Sequence, residues 1–98
     1  MWKFKQTTQF KKDFKKYEHN KKKLVSLMNV LSQLREEGKV EAKYDPHMLK
    51  GDYQGCMECH VENDFLLIWI DEENQIISLT RLGSHSELFG KDLIFEWI

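Results

Sequence analysis

The run "FLLIWI", Phe65 to Ile70, is apolar at every one of its six positions and has polar residues on both sides. It has the length of a strand, and a strand that is apolar throughout has to be central and covered on at least one face. The neighbouring segments must therefore supply pairing partners and a cover. "DEEN" after it reads as a turn, and "QIISLTRL", Gln75 to Leu82, as the returning strand. "QGCMECHV" before it is a shorter, only partly alternating strand. The three form an antiparallel meander.

The cover is expected from residues 7–37. Phe10, Phe14 and Tyr17 recur at i, i+4 and i+7, one stripe of an amphipathic helix that Thr7 or Thr8 can cap. Leu24, Leu27, Met28, Leu31 and Leu34 make a second stripe, with Asn20 as its cap and Gly38 as its stop. Ahead of this helical hairpin, residues 2–6 alternate apolar and charged like a half-buried strand. Residues 38–51 read as a polar loop holding the chain's one proline, Pro46, beside His47. Connections of this length are often functional. The expected fold class is α+β: an N-terminal strand, a two-helix hairpin, then a three-stranded antiparallel meander, with both helices on one face of a small sheet. At 98 residues this is one domain, 1–98. Its end, "LIFEWI", is an edge strand or a tail packed on the core.

Charge is distributed unevenly. Residues 1–50 hold 13 of the 15 basic residues against 6 acidic ones, whereas residues 51–98 hold 2 against 10. Lys11, Lys12, Lys15 and Lys16 place like charges four apart on a helix, each pair costing roughly 0.2–0.5 kcal/mol. Lys21, Lys22 and Lys23 extend the same basic surface. A phosphate-rich partner is the expected reason for it.

No apolar stretch approaches a membrane span, and "MWKFKQTTQFKKDF" lacks the apolar core of a secretory signal, so a cytoplasmic location without membrane association is expected. "CMECH" matches the signature of covalent c-type haem attachment. That attachment normally takes place outside the cytoplasm and calls for a sixth ligand that the four methionines do not evidently offer. A disulfide is likewise not expected in this compartment. Zinc suits His, Cys and Asp, but Arg81 would repel it, and on a strand Cys59 points away from Cys56 and His60. No metal and no cofactor is expected.

His47, His60, Asp64, Arg81 and His85 have no structural task in this scheme. The meander brings His60 to Asp64 across "VEN" and returns Arg81 to the Asp64 end of the sheet. Histidines exchange protons near neutrality, and a guanidinium neutralises charge building on a phosphate. The set fits metal-independent phosphodiester cleavage, in which the RNA 2′-hydroxyl itself is the nucleophile.

"HVENDFLLIWI" followed by "TRLGSHSELFG", with "DPHMLKGDYQG" upstream, resembles the YafQ-type branch of the RelE/ParE superfamily of type II toxin–antitoxin toxins, from the first strand to about Gly90. The resemblance implies a twisted antiparallel sheet packed by two helices. It also implies a ribosome-dependent endoribonuclease that cuts mRNA in the ribosomal A site. His47, His60, Asp64, Arg81 and His85 then form the active-site set, with Phe89 beside it. His85 is the implied general acid for the 5′-oxygen, Asp64 or His60 helps take the 2′-hydroxyl proton, Arg81 holds the phosphate, and His47 supports the same group. Phe65 stands where relatives often carry Trp and is implied to stack on a base. The lysine-rich half is implied to dock on ribosomal RNA and to meet a cognate antitoxin. Residues 91–98 extend past the usual ending. The alternatives are a non-enzymatic ParE-like toxin and a degenerate binding module, neither of which needs the whole polar set.

Overall fold

The meander turns where the sequence places left-handed residues. In the computed structural model, which describes residues 1–90, β3 (Met57–Glu62), β4 (Phe65–Glu72) and β5 (Ile76–Gly83) pair antiparallel. Asp64 (φ 52°) closes the first turn, and Asn74 (φ 63°) and Gln75 (φ 59°) the second, since Asn and Asp tolerate that region best among side-chain-bearing residues. The "DEEN" reading shifts by two residues, because Asp71 and Glu72 still pair with Ile77 and Ile76. β4 is central, and Phe65 to Trp69 are all buried.

Two further strands complete a five-stranded sheet in the order β1-β5-β4-β3-β2. The first strand, β1 (Lys3–Gln6), lies parallel to β5. The sheet is thus mixed, a correction to the wholly antiparallel expectation. The meander leaves β5 as an open edge, and β1 is joined to it only through the helices and the rest of the chain, a connection long enough for parallel pairing. The expected loop at 38–51 is also more ordered than a polar stretch suggests. It holds a 3-10 turn at Ala42–Tyr44 and the two-residue β2 (His47–Met48), pinned by buried Val40, Tyr44 and Leu49.

The hairpin forms as its caps dictate. Helix α1 (Thr8–Lys15) starts at Thr7, whose hydroxyl accepts from Phe10 N at 3.0 Å. Helix α2 (Lys21–Glu37) starts at Asn20, which accepts from Lys23 N at 3.1 Å. Gly38 ends α2 at φ 72°, and a Cβ there would lie 2.6 Å from the Trp2 ring, so both conformation and packing demand glycine. Along α2 the buried line is Leu27, Val30 and Leu34, while Met28 is exposed. The stripe is turned from the expected one toward Val30: Leu24 and Leu31 are half-buried, Leu31 against the same core, and Met28 is left outside it.

The sheet carries apolar groups on both faces. Phe65, Leu67, Trp69, Ile77 and Leu79 pack with Phe10, Leu27, Val30 and Leu34 beneath the helices. Leu66 and Ile68 pack on the other face with Leu49, Cys56 and Leu88. Leu88 belongs to α3 (His85–Phe89), in a stretch to which the sequence reading assigned no element. Ser84 caps it and Glu87 closes the capping box. The extension 91–98, including "LIFEWI", lies outside the described residues. Among the described residues no helix is long and apolar enough to cross a membrane.

Candidate active site

Strand alternation builds the site on the sheet face opposite α1 and α2. Glu58 pairs with Ile68 and His60 with Leu66, so both side chains share the face of the smaller core. His47 sits opposite Glu58 on β2. Arg81 sits opposite Ile68 on β5. α3 crosses the same face with His85 in its first turn and Phe89 at its end. Bulges interrupt the ladder beside His60 and again beside Arg81. Such bulges re-aim side chains next to functional sites.

The members touch in series. His47 Nε2 lies 3.2 Å from Glu58 Oε1, and His60 Nε2 lies 3.7 Å from the same oxygen. The His60 and His85 rings meet edge to face at 5.6 Å between centroids, and His85 and Phe89 follow at 6.4 Å. Phe89 packs edge to face on Tyr53 at 5.4 Å, and the Tyr53 hydroxyl accepts from Arg81 Nη1 at 3.0 Å. The structure thus brings together His47, His60, Asp64, Arg81, His85 and Phe89, but not always with the expected partners. Asp64 is held by His85, accepting from its backbone N at 2.9 Å and from Nδ1 at 2.6 Å. His60 instead faces Glu58 and, at 4.0 Å, Asp45. The ladder shifts register between His60 and Glu62, just ahead of the turn that holds Asp64, and the Asp64 charge still acts on the His60 ring.

These bonds fix tautomers. A carbonyl or carboxylate oxygen only accepts, so His47 Nδ1, 2.9 Å from the Asp45 carbonyl, carries its proton, as does His85 Nδ1. Nε2 is then the exchangeable nitrogen of both rings. The backbone and ring N–H groups of His85 hold Asp64 below the ordinary carboxylate range. Burial holds His60 below its usual value against the opposing pull of Asp45.

Glu58 is the residue that reasoning from sequence missed. It is fully buried, and burial, reinforced by the negative charge of Asp45, pushes its carboxyl up to about 8. In the unfolded chain it ionises near 4.5. A raised carboxyl contributes stability that is complete below the unfolded value and is lost as pH climbs through the folded one. Relative to the parent protein, Glu58→Gln should therefore melt at a progressively higher temperature between about pH 5 and about pH 9. A melting-temperature difference that stays flat across that range would show Glu58 to be ionised throughout. The available signal was its spacing: Glu58 is two residues from His60 on a strand and so shares its face.

Other expected site residues fall elsewhere. Phe65, read as a base-stacking residue, is 0% exposed, and its ring lies under Tyr17 at 4.7 Å between centroids. This corrects the expectation: the first residue of β4 faces the helices, so its ring is core and has no surface for a base. Arg81, two residues before the end of β5, stays with the site, and its Nε donates to Asp13 on α1 at 2.8 Å. Lys11, Lys12, Lys15, Lys16, Lys21 and Lys22 line an exposed surface. Two of them carry ion pairs, Lys16 with Glu87 at 3.6 Å and Lys22 with Glu62 at 3.8 Å. Lys23 lies over the Tyr17 and Phe65 rings at 4.9 and 5.2 Å. Cys56 and Cys59 are buried in the two separate cores, on opposite faces, so they cannot grip one group together. Among the described residues, no three His, Cys, Asp or Glu side chains are grouped to hold a metal ion.

The family described as "Bacterial toxin of type II toxin-antitoxin system, YafQ" matches residues 2–90. The mRNA interferase toxin YafQ of Escherichia coli (strain K12) is 33% identical over 85 residues, which span 84% of this chain and 89% of that protein. The crystal structure of a metal-bound toxin from Helicobacter pylori superposes with a TM-score of 0.79 at 37% identity, over 91% of this chain and all (100%) of that one. The toxin in the crystal structure of the E. coli DinJ-YafQ complex does so at 0.71 and 30% identity, over 92% of this chain and 100% of that one.

Proposed function

The chain belongs to the YafQ family of bacterial type II toxin–antitoxin toxins, and from that premise we propose that it cuts translated mRNA in the ribosomal A site by acid/base chemistry of its own side chains. As an mRNA interferase it is an endoribonuclease. The observation that carries the chemistry is the pairing of two imidazoles with carboxyl groups on one face, His85 with Asp64 at 2.6 Å and His47 with Glu58 at 3.2 Å, with His60 between them.

The ribose 2′-hydroxyl attacks the adjacent phosphorus while a base takes its proton. His60, held neutral by burial, is the base. Asp64 is committed to His85 and orients that ring, so it is a poor competitor for the role. As the P–O5′ bond breaks, His85 Nε2 gives its proton to the departing 5′-oxygen. The products are a 2′,3′-cyclic phosphate and a 5′-hydroxyl end. Arg81 offsets the charge that builds on the non-bridging oxygens. After cleavage His60 gives its proton to solvent, and the Glu58 carboxyl beside it, neutral below about pH 8, sets no negative charge against the ring that would keep it charged. Beside His60, a groove of about 470 Å³ lined by Ser26, Asn29, Lys43 and Asn63 offers polar groups to the RNA.

The exposed lysines of α1 and α2 dock on ribosomal RNA, an attraction that falls steeply with salt. The DinJ-YafQ complex supports a cognate antitoxin as the second partner, and the same reading places the toxin in the cytoplasm, where ribosomes and antitoxin are. To test this reading, the toxin is stripped with a chelator, freed of it by gel filtration and added to ribosomes translating a defined mRNA. Unchanged cleavage, with cyclic-phosphate ends and naked mRNA left uncut, is expected. Activity lost on stripping and restored by a stoichiometric transition metal would sink the metal-free mechanism. Uncut translated mRNA would sink the enzyme.

A further inference from the structure

Asp13 occupies an unexpected place for an acid. It falls at i+3 from Phe10 on the apolar stripe of α1, and it is 1% exposed on a helix whose other face is lysine-rich. Both its oxygens are occupied. Oδ2 accepts from Arg81 Nε at 2.8 Å and from the backbone N of Leu82 at 3.0 Å, and Oδ1 accepts from Gln9 Nε2 at 3.0 Å and from Arg81 Nη2 at 3.4 Å. Burial acts to raise this carboxyl, but the bonds from Arg81, Leu82 and Gln9 outweigh it and hold Asp13 ionised below its ordinary range.

The guanidinium is held from its other end as well. Nη1 donates to the Tyr53 hydroxyl at 3.0 Å, and that hydroxyl donates to the Leu88 carbonyl of α3 at 3.1 Å. Of the five N–H donors of an arginine, three are committed in this way to the described residues, which leaves two to meet an anion. The side chain is 21% exposed, so an anion can reach it. An arginine fixed on two sides loses little freedom when it meets a phosphate, and that saving appears as rate.

We propose that Asp13 is a positioning residue for the reaction: from the docking helix, through Arg81, it fixes the guanidinium on which the scissile phosphate is held. The helix that presents lysines outward thereby carries the anchor of the active-site arginine inward. The inference rests on the role given to Arg81 above.

A double-mutant cycle tests it. Single-turnover mRNA cleavage on ribosomes is measured for the parent, Asp13→Asn, Arg81→Ala and the double variant, with thermal unfolding of each. Asp13→Asn keeps the shape of the side chain and an acceptor for Leu82 N. It should lower the cleavage rate by about 10- to 100-fold at saturating ribosomes, leaving half-saturation near that of the parent. In the Arg81→Ala background the same change should cost nothing further, as expected for residues that act as one unit. Asp13→Glu, which keeps the charge, should recover part of the rate. It also replaces Asp13→Asn in the cycle if the amide variant does not fold. A full additional loss in the Arg81→Ala background would overturn the proposal, because Asp13 would then act by another route. Parental cleavage by Asp13→Asn would overturn it too. Parental cleavage by Arg81→Ala would overturn the proposal together with the role of Arg81, and so tells the two failures apart.

Discussion

Replacing His85 by alanine is expected to slow mRNA cleavage on translating ribosomes by about 10²- to 10⁴-fold, with the fold intact. The ring stands where a proton donor is needed: it is part-exposed, its Nδ1 is tied to Asp64 at 2.6 Å, and its edge meets His60. The removed atoms are also not what holds α3 in place. The Ser84 cap, its reciprocal bond with Glu87 and the bond from the His85 backbone N to Asp64 all survive truncation at Cβ. Thermal unfolding should therefore change little while 5′-end mapping loses its signal. Parental cleavage by His85→Ala would remove this residue from the chemistry.

Replacing Phe65 by alanine should act the other way, through stability. Truncating a fully buried aromatic costs about 3–5 kcal/mol, against a total of about 5–15 kcal/mol for a domain. The ring is fully buried in the main core beneath Tyr17, at the start of the central strand. A denaturant midpoint that falls sharply, with cleavage falling in proportion to the folded fraction, is expected. Phe65→Leu should recover most of both, since it restores apolar volume without an aromatic ring. A normal midpoint with weakened RNA binding, and no rescue by leucine, would return Phe65 to the base-stacking role that the structure removes from it.

The contrast between these residues shows what could be read in the chain. The central place of β4 was legible because six successive apolar positions have few other solutions. The caps at Thr7 and Asn20 and the stop at Gly38 were legible because each is a chemical event within four residues. The histidines, Arg81 and Phe89 were legible as a group through the family resemblance. Helix α3 was written as a capping box, "SHSE", that went unread. Glu58 and Asp13 were harder to see. Their signals were an acid on the strand face of His60 and an acid on an apolar helical stripe, and neither announces its partner.

By itself, then, the sequence determined the order of elements, the faces that seek burial and the stock of proton-transfer groups, because propensity, capping and periodicity act over one or two turns of chain. Only the tertiary structure decided which groups meet. The placement of α3 over the sheet face set Asp64 against His85, and strand alternation set His60 beside Glu58. Packing of α1 on β5 gave Arg81 an anchor 68 residues away, and packing of the helices on β4 turned Phe65 from a contact residue into core. Those choices depend on register and on which surface covers which, and no local run of residues contains that information.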